Sequence, residues 1–351
     1  MPKDSMTGSE RWNAVLTRTK PDRVPMDIWI TPEAIVNLCT YLGADPHDAF
    51  TQLHIDIPVT LEGRYVGPTL PKGTDCWGLQ YRDVDYGSGV YPECANHPLA
   101  AYNTIEEIDA NYIFPTADWF DFSHLPEVVE AAGGSPIRGG GSEPFLYYKY
   151  LRGDVQAFMD LIENPELVHY CLDKMFDFCY QSTLRIFEAA PGKVQVTYVA
   201  EDLGGQDNLM YAPEQIREFF LPGMKRMIEL TRQHGSFVFH HTDGAVREIL
   251  PELIETGIQV LNPIQWRCRG MEREGLKRDF GDKLIFHGGV DNQHTLPFGS
   301  VDDVRHEVID NLRILGEGGG YILAPCHNIQ AVSPPENIVA MYETGYAEGW
   351  C

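Results

Sequence analysis

The feature that most constrains the fold is the regular alternation of two kinds of stretch along the chain. Short runs rich in β-branched and aromatic residues alternate with longer stretches whose apolar residues recur at helical spacing. Eight such runs predict a parallel α/β fold of the (β/α)8 type, a TIM barrel, rather than an open sheet. The predicted strands are residues 24–30, 54–60, 136–141, 194–200, 237–240, 259–261, 283–286 and 321–324. The predicted helices include a short one with Ser9 as N-cap, one with Thr31 as N-cap that stops at Gly43, and one over 246–255.

The chain length fits one such barrel. Its 351 residues, 43% of them hydrophobic, can fill a single large core. Residues 62–112 interrupt the alternation with scattered Gly and Pro and short aromatic and β-branched runs, 77–81 and 86–91, which predicts hairpins. We therefore interpret residues 1–351 as one TIM-barrel domain, in which residues 62–112 form an insertion that caps the carboxyl-terminal face.

Composition excludes several classes of partner. The chain carries 51 acidic and 27 basic residues, a formal net charge of -24, which argues against binding to nucleic acid or to an anionic membrane. The eight cysteines form no CxxC pair and no disulfide-scaffold spacing, so we expect reduced thiols. With no apolar run of the roughly 18 residues that a bilayer requires, we expect a soluble cytoplasmic protein.

Polar side chains with catalytic or metal-binding chemistry follow the predicted strands where each strand ends. Active sites of parallel α/β barrels are built at this carboxyl-terminal face, so these side chains should converge. The candidate site residues are Glu201, Asp202, His240, His241, Asp243, Asn262, His287, Asp291, Cys326 and His327.

The two adjacent histidines cannot both face the site, because successive side chains of a strand point to opposite sides. We expect His241 to face it, since His241 begins the sequence His-Thr-Asp-Gly and Asp243, two residues on, can point the same way. His240 is then a core or supporting residue. Imidazole, carboxylate and thiolate groups together favour a zinc site.

Other chemistries lack their motifs. The sequence contains no GxSxG elbow and no P-loop, and no GxGxxG follows a predicted strand. Serine hydrolysis, nucleotide hydrolysis and Rossmann-type dinucleotide binding therefore have no support.

Several spaced motifs resemble the uroporphyrinogen decarboxylase-like superfamily. They are SERWNAVLTRTKPDRVP near the start, HTDG followed by LPELIETGIQVLNP, HGGVDNQ, and GGGYILAPCHNIQ followed by SPPENIVAMY. The resemblance implies a TIM barrel over nearly the whole chain. True uroporphyrinogen decarboxylases carry an arginine-rich motif, PxWxMRQAGR, that holds the substrate carboxylates. Here residues 24–30 read VPMDIWI, without an arginine.

The other branch of the superfamily contains zinc-dependent methyltransferases that work with corrinoid proteins. Its members bind zinc through a His-x-Cys and a later Cys. By that resemblance His241 matches the histidine, Asp243 stands at the first Cys, and His327 stands at the second, with Cys326 one residue away. The resemblance implies Zn²⁺ held by His241, Asp243 and either His327 or Cys326. Glu201 is then a fourth ligand or an acid/base.

The implied activity is transfer of a methyl group from a small methylated substrate to the cobalt of a separate corrinoid protein, with Glu201 and His241 catalytic. Nitrogen and oxygen ligands leave zinc a stronger Lewis acid than thiolates do, which favours an O-methyl substrate such as an aryl methyl ether. We expect Asn262, His287, Trp29 and Trp266 to bind it. The insertion adds four candidate wall residues: Trp77, Tyr81, Tyr86 and Tyr91.

Two alternatives remain. A decarboxylase of a small carboxylic acid needs a basic residue that faces the carboxylate, and Arg138, at the third predicted strand, is the best candidate. A metal-free binding or scaffolding protein is the third possibility.

Overall fold

A seven-stranded parallel sheet forms the centre of the molecule, with strand order β1-β6-β7-β8-β9-β10-β11. The computed structural model describes residues 3–87 and 89–351. Strands β2 and β5 pair in a small antiparallel sheet, as do β3 and β4. The strands are β1 (Val59–Leu61), β2 (Arg64–Tyr65), β3 (Tyr81–Asp85), β4 (Val90–Cys94), β5 (Phe120–Asp121), β6 (Ile137–Ser142), β7 (Val196–Val199), β8 (Phe237–His241), β9 (Val260–Asn262), β10 (Ile285–Val290) and β11 (Tyr321–Pro325).

Helices connect successive strands of the sheet. A π-helical turn, Ile216–Phe220, joins α9 to α10. Within the part of the chain that is described, no helix has both the length and the apolar character needed to cross a bilayer. The helices are α1 (Gly8–Leu16), α2 (Pro32–Leu42), α3 (Pro46–Gln52), α4 (Ile105–Asn111), α5 (Leu125–Ala131), α6 (Pro144–Arg152), α7 (Asp154–Glu163), α8 (Pro165–Ala189), α9 (Pro213–Gln215), α10 (Leu221–Gln233), α11 (Leu250–Thr256), α12 (Arg273–Phe280), α13 (Thr295–Phe298), α14 (Val301–Ile314) and α15 (Pro335–Glu348).

The extended segment around Met26 lies between the last and the first strand of the sheet. Met26 forms a parallel bridge with Leu323 of β11. The Asp27 N–H donates to the carbonyl of Leu323 at 2.9 Å, and the Met26 carbonyl accepts from the N–H of Asp56 at 2.7 Å, just before β1. The parallel sheet and this segment give the fold the TIM-barrel-like arrangement that the sequence predicted, but the predicted first strand, 24–30, forms only isolated bridges at Met26 and Ile30.

One apolar cluster occupies the space enclosed by the sheet. It takes one buried residue from each of β7 to β11 and three from α1: Val196, Phe239, Val260, Ile285, Ile322, Trp12, Val15 and Leu16. Because side chains alternate along a strand, the position two residues further on also points inward. The next inward layer, towards the carboxyl ends of the strands, consists of Tyr198, His241, Asn262 and His287.

Most predicted elements are present, with shifted boundaries. The predicted helix with Thr31 as N-cap and Gly43 as its stop is confirmed, and Gly43 has a left-handed backbone with φ of 64°. Ser9 was the wrong N-cap for α1: Thr7 caps it, because the side chains of Thr7 and Glu10 bond each other's backbone N–H groups.

Three other boundaries were wrong. The predicted strand 54–60 contributes only β1, because α3 ends just before it and His54 has φ of 55°, outside the extended region. The predicted helix 246–255 begins only at Leu250. The predicted strand 283–286 starts two residues later and continues to Val290.

Residues 62–112 contain the predicted hairpin, formed by β3 and β4. Their pairing residues differ from the predicted runs 77–81 and 86–91. The segment also contains α4 and β2, and β2 pairs with β5, which lies beyond the predicted end of the insertion.

A buried charge cluster joins α1 to the segment before β1. The carboxylate of Asp56, 7% exposed, accepts from Arg11 Nη1 at 2.5 Å, from Arg23 Nη1 at 2.9 Å and from the Met26 N–H at 3.1 Å. Arg11 Nε also bonds Asp22 at 2.6 Å. Buried charges are tolerated only when they are paired in this way, so the cluster fixes where the closing segment meets the sheet.

Replacement of Asp56 by alanine should lower the free energy of unfolding by about 3–5 kcal/mol, because it leaves two buried guanidinium groups without their shared carboxylate. Asp118→Ala is the matched control, since Asp118 pairs with Arg185 while 80% exposed, and should cost at most about 1 kcal/mol. Urea unfolding measures both. Equal losses in the two variants would contradict the structural role of the cluster.

Candidate functional site

Three of the predicted metal ligands meet at the carboxyl-terminal face of the sheet. Ligand atoms of His241, Asp243 and His327 all lie within 4.8 Å of one another. Asp243 stands between the two imidazoles: its carboxylate oxygens are 3.9 Å from His241 Nε2 and 3.9 Å from His327 Nε2. Asp202 is close by, with Oδ1 3.8 Å from His241 Nε2.

The Asp243 carboxylate is held in place by a glutamine. Gln265 Nε2 donates to Asp243 Oδ1 at 3.1 Å, and Gln265 Oε1 accepts from the Gly244 N–H at 2.6 Å. The Asp243 N–H donates to Asp202 Oδ1 at 3.2 Å. Both carboxylates therefore have fixed positions beside His241.

Burial determines the charge balance of this cluster. Burial raises the pKa of Asp243, and the neighbouring histidines offset part of this rise. Burial lowers the pKa of His327. Glu143, just before α6, is also close enough to interact electrostatically with His241 and Asp202, and burial raises its pKa to about 7. Imidazoles among carboxylates form a group that attracts a cation.

His327 and Cys326, the two alternatives for one ligand, point to different places. His327 belongs to the cluster, whereas the Cys326 thiol donates to the carbonyl of Ile264 at 3.1 Å and is buried. Burial also raises the pKa of the Cys326 thiol well above its usual range. A thiol held in this way is a poor metal ligand.

A chain of hydrogen bonds connects His241 to the closing segment. His241 Nδ1 lies 2.6 Å from Asn262 Oδ1, and Asn262 Nδ2 lies 2.7 Å from His287 Nδ1. His287 Nε2 lies 3.0 Å from Asp27 Oδ2, which also accepts from Trp29 Nε1 at 3.2 Å. Asn262, His287 and His241 are fully or almost fully buried, as is Asp27.

The directions of these bonds follow from the groups themselves. An ionised Asp27 only accepts, so His287 donates from Nε2 and accepts at Nδ1. The Asn262 amide nitrogen then donates to His287, and its oxygen accepts from His241 Nδ1–H. His241 Nε2 is left as an acceptor that faces Asp202 and Asp243, which is the tautomer a metal-binding histidine requires.

His240 faces the opposite side of β8, as the alternation predicted. Its Nδ1 bonds the carbonyl of Val199 at 2.7 Å, and burial lowers its pKa to about 4. Among the described residues, Nε2 of His240 is a buried atom without a hydrogen-bond partner. His240 is therefore a neutral core residue.

Glu201, Asp291 and Trp266 have other partners. Glu201 Oε1 accepts from the Phe145 N–H at 3.1 Å, and burial raises the pKa of Glu201 well above its usual range. Asp291 Oδ2 accepts from Arg267 Nε at 2.7 Å. Trp266 donates to the carbonyl of Gly289, and its ring lies between the guanidinium groups of Arg267 and Arg273, each 4.4 Å from the ring centroid. None of the three belongs to the group of ligand atoms formed by His241, Asp243 and His327, although Glu201 interacts electrostatically with Glu143 and Asp202.

Trp29, in contrast, lies directly against the cluster. Its ring centroid is 5.3 Å from that of His241, in a stacked arrangement, and 6.4 Å from that of His327. The Tyr198 ring stacks on His241 as well, at 5.6 Å. Two aromatic rings therefore flank the candidate metal ligand.

Both rings also line a cavity of about 580 Å³. Its wall includes Asp27 and Arg138 and the apolar side chains of Ile28, Ile35, Phe50 and Ile57. A second cavity of about 450 Å³ shares Thr60, Glu62, Gly140 and Tyr198 with the first and is lined by Glu143 and Trp77. A volume of this size accommodates a small aromatic molecule.

Sequence reasoning missed Asp27, Glu143 and Gln265. Glu143 directly follows β6 and could have been found by the same strand-end criterion that singled out Glu201. Asp27 lay in a run interpreted only as a strand, and its partner His287 is 260 residues away, so local pattern carried no signal for it. Gln265 follows β9 closely but is neither an acid nor a usual metal ligand.

The cluster fits a divalent metal ion. Histidine nitrogen and carboxylate oxygen are ligands that zinc accepts, and three protein ligands leave one position open, as in catalytic zinc sites. Ligand atoms about 2.1 Å from one ion in tetrahedral geometry lie roughly 3.4 Å apart. The imidazole–carboxylate separations are 3.9 Å and no pair of ligand atoms is more than 4.8 Å apart. Side-chain rotations that move the ligand atoms by roughly 0.5 to 1.4 Å therefore bring them to one ion.

The sequence pattern of the uroporphyrinogen decarboxylase (URO-D) family matches residues 82–347. The chain belongs to the uroporphyrinogen decarboxylase family. It is 26% identical over 234 residues to "methylcobamide:CoM methyltransferase MtaA" of Methanosarcina barkeri, a match that covers 64% of this chain and 64% of that protein, under two thirds of its length. It is 25% identical over 271 residues to a uroporphyrinogen decarboxylase of Pseudomonas entomophila, covering 72% and 71%.

The fold also matches a solved structure. A methyltransferase from Methanosarcina mazei superposes with a TM-score of 0.65, at 22% identity, over 98% of this chain and 99% of that one. At this identity the likeness establishes the fold. The predicted superfamily is thus confirmed, and the methyltransferases among these relatives support its methyltransferase branch.

Protein purified without chelator should contain about one equivalent of zinc by elemental analysis, because structured sites of this kind bind zinc tightly. Asp243→Ala and His327→Ala should lose most of the metal. Cys326→Ser is the matched control and should retain it, since that thiol faces the carbonyl of Ile264. Less than about a tenth of an equivalent in the unmodified protein would refute the metal site.

Asn262→Ala should weaken zinc affinity by about 10- to 100-fold, because it removes the group that orients His241. Competition with a chromogenic chelator measures the affinity. Asn311→Ala is the control: Asn311 is another buried asparagine, and its amide bonds the Gly289 carbonyl and Arg273. If both variants lose affinity equally, the effect comes from general destabilisation and the orienting role of Asn262 is wrong.

Proposed function

We propose that this protein is a methyltransferase that moves a methyl group from a small O-methyl compound to the cobalt of a corrinoid carried by a partner protein. Family membership and similarity to methyltransferases support the class of activity. The name of one relative, methylcobamide:CoM methyltransferase, supports a corrinoid partner. The observation that carries the proposal is the His241, Asp243 and His327 cluster beside an aromatic-walled cavity.

The donor set of this cluster favours an oxygen substrate. Zinc held by two nitrogens and one oxygen would act as a Lewis acid towards the ether oxygen. In the overall reaction the methyl–oxygen bond breaks and Co(I) supplies the electron pair of the new carbon–cobalt bond. The oxygen keeps its bonding pair and takes up one proton.

Glu143 is the better candidate for the source of that proton. It lines the second cavity and interacts electrostatically with His241, and its pKa of about 7 keeps a large protonated fraction at neutral pH. Glu201, the sequence-based candidate, bonds the Phe145 N–H at the start of α6 and so positions the loop that carries Glu143. We assign Glu201 a supporting role.

The cavity wall favours an aryl methyl ether. Trp29 and Tyr198 offer ring faces next to His241, and a flat phenyl ring buries its surface well against such faces. Of the four aromatic residues of the insertion, Trp77 lines the second cavity. Tyr81, Tyr86 and Tyr91 are 43%, 40% and 57% exposed, so the proposed substrate-binding wall does not include them. The position of Trp77 supports the proposal that the insertion covers part of the site.

One observation favours decarboxylation as a second candidate function. Arg138, the residue expected to face a carboxylate, does line the larger cavity, and uroporphyrinogen decarboxylases are among the relatives. A decarboxylase would release CO2 from its substrate without a corrinoid protein. The two functions therefore give different products from one methoxylated aromatic acid.

Incubation with a Co(I) corrinoid protein and methoxylated aromatic compounds should give the absorption spectrum of methylcobalamin. Trp29→Ala should weaken binding of an aryl ether by about 1–3 kcal/mol, because the ring contact is lost, and change little with methanol as donor. The Ala variant of Tyr91, which is 57% exposed, is the control and should behave as the unmodified protein does.

Absence of methylcobalamin with every methylated donor would refute the methyl transfer. Release of CO2 instead would establish the second candidate. An equal effect of Trp29→Ala on both donors would remove the aryl-ether assignment alone.

A further inference from the structure

Arg138 points into the space enclosed by the sheet. In the parallel register Arg138 lies opposite Thr60 of β1 and Val196 of β7, and Val196 belongs to the enclosed apolar cluster. Residues opposite each other in a sheet point to the same side, so the Arg138 side chain extends inward. Its Nε donates to Thr60 Oγ1 at 2.6 Å.

In the part of the chain that the structure describes, the guanidinium of Arg138 has no carboxylate partner, whereas the buried arginines Arg11, Arg23 and Arg152 each have one. Arg11 and Arg23 both pair with Asp56, and Arg152 pairs with Asp160 at 2.6 Å. Within residues 3–87 and 89–351, no carboxylate lies within 4.0 Å of Arg138, and its two Nη nitrogens have no hydrogen-bond partner. Neither Nη nitrogen is among the buried unpaired atoms of the described residues, so both remain accessible to a ligand in the cavity.

The cavity lining offers no internal anion for this role. Arg138 is the one basic side chain among the described residues that line the 580 Å³ cavity, and the two acidic ones are Asp27 and Glu62. Asp27 already accepts from His287 and Trp29, and Glu62 is exposed. The free face of the Arg138 guanidinium therefore matches an anionic group of a ligand.

We propose that Arg138 binds the carboxylate of the methyl donor, so that the substrate is a methoxylated benzoate or a close analogue. This inference rests on the proposed function for the identity of the methyl group. Guanidinium binds carboxylate with two parallel hydrogen bonds, which gives orientation as well as affinity. The ring between carboxylate and methoxy group would then lie beside Trp29 and Tyr198.

The distance from Arg138 to the His241 cluster suits such a molecule. Val196, opposite Arg138, is itself opposite Phe237 of β8, and His241 follows Phe237 by four residues. Four residues of a strand span roughly 13 Å. Because β8 is also two strands away from β6, a further distance of about 10 Å lies across the sheet. The arginine side chain and a methoxybenzoate together bridge from β6 towards the His241 cluster, past Trp29 and Tyr198, which line the cavity and stack on His241.

Two measurements test the inference. Isothermal titration with 4-methoxybenzoate reports binding without any corrinoid, and methyl transfer compares 4-methoxybenzoate with its neutral analogue 4-methoxybenzyl alcohol. The unmodified protein should use the acid at least tenfold more efficiently, in kcat/KM, than the alcohol. Arg138→Gln should weaken binding of 4-methoxybenzoate at least tenfold and remove the preference. Arg138→Lys should bind more tightly than Arg138→Gln, because the charge remains.

Arg82→Gln is the matched control. It changes the net charge equally, but its side chain is 68% exposed on the hairpin, so 4-methoxybenzoate should bind as to the unmodified protein. Equal affinities of the Arg138→Gln and unmodified proteins would overturn the inference, as would equal use of acid and alcohol by the unmodified protein. If 4-methoxybenzoate binds through Arg138 but no methyl transfer occurs, the carboxylate site stands and the proposed function fails.

Discussion

The hydrogen-bond chain from Asp27 through His287 and Asn262 to His241 is the constraint on which the rest of the site depends. Its members come from the closing segment, β10, β9 and β8. Each nitrogen or oxygen along the chain acts either as a donor or as an acceptor. Because the ionised Asp27 carboxylate can only accept, it determines the direction of every following hydrogen bond. While the sheet and its closing segment remain in contact, these bonds therefore hold His241 in the tautomer whose Nε2 can accept.

That dependence gives the first sequence motif a structural meaning. The motif around residues 9–25 contains Arg11, Asp22 and Arg23, and these side chains form the buried charge cluster with Asp56. The cluster holds the segment that begins at Val24 against the sheet, and Asp27 lies three residues further on. A motif that resembles the family thus stabilises the segment that carries Asp27, and its Trp12 ring also contacts His287, with ring centroids 6.0 Å apart.

Period-two alternation predicted the local part of the site. If His241 faces inward, its spacing of two residues from Asp243 predicts that the two side chains lie close together. The structure places them together. The choice between Cys326 and His327 could not be predicted, because both follow β11 and the turn there decides which side chain points inward. Only three-dimensional contact with Asp243 separates them.

Contacts between distant parts of the chain account for what the sequence could not show. The role of Asp27 depends on closure between β11 and β1, which no local pattern encodes. The same holds for Arg138: its residue type suggested an anion partner, but only the sheet register shows that it points inward beside Thr60.

The donor set and the cavity are consistent with each other in chemical terms. Thiolate ligands donate charge to zinc and suit activation of a thiol, whereas imidazole and carboxylate leave more Lewis acidity for an oxygen atom. An ether oxygen is a weak leaving group and needs that acidity together with a proton. Glu143, with a pKa raised to about 7 by burial, lies within electrostatic reach of His241. Under the proposed function, imidazole and carboxylate ligands in place of thiolates and the Glu143 carboxyl beside the cavity would serve one requirement, cleavage of a carbon–oxygen bond.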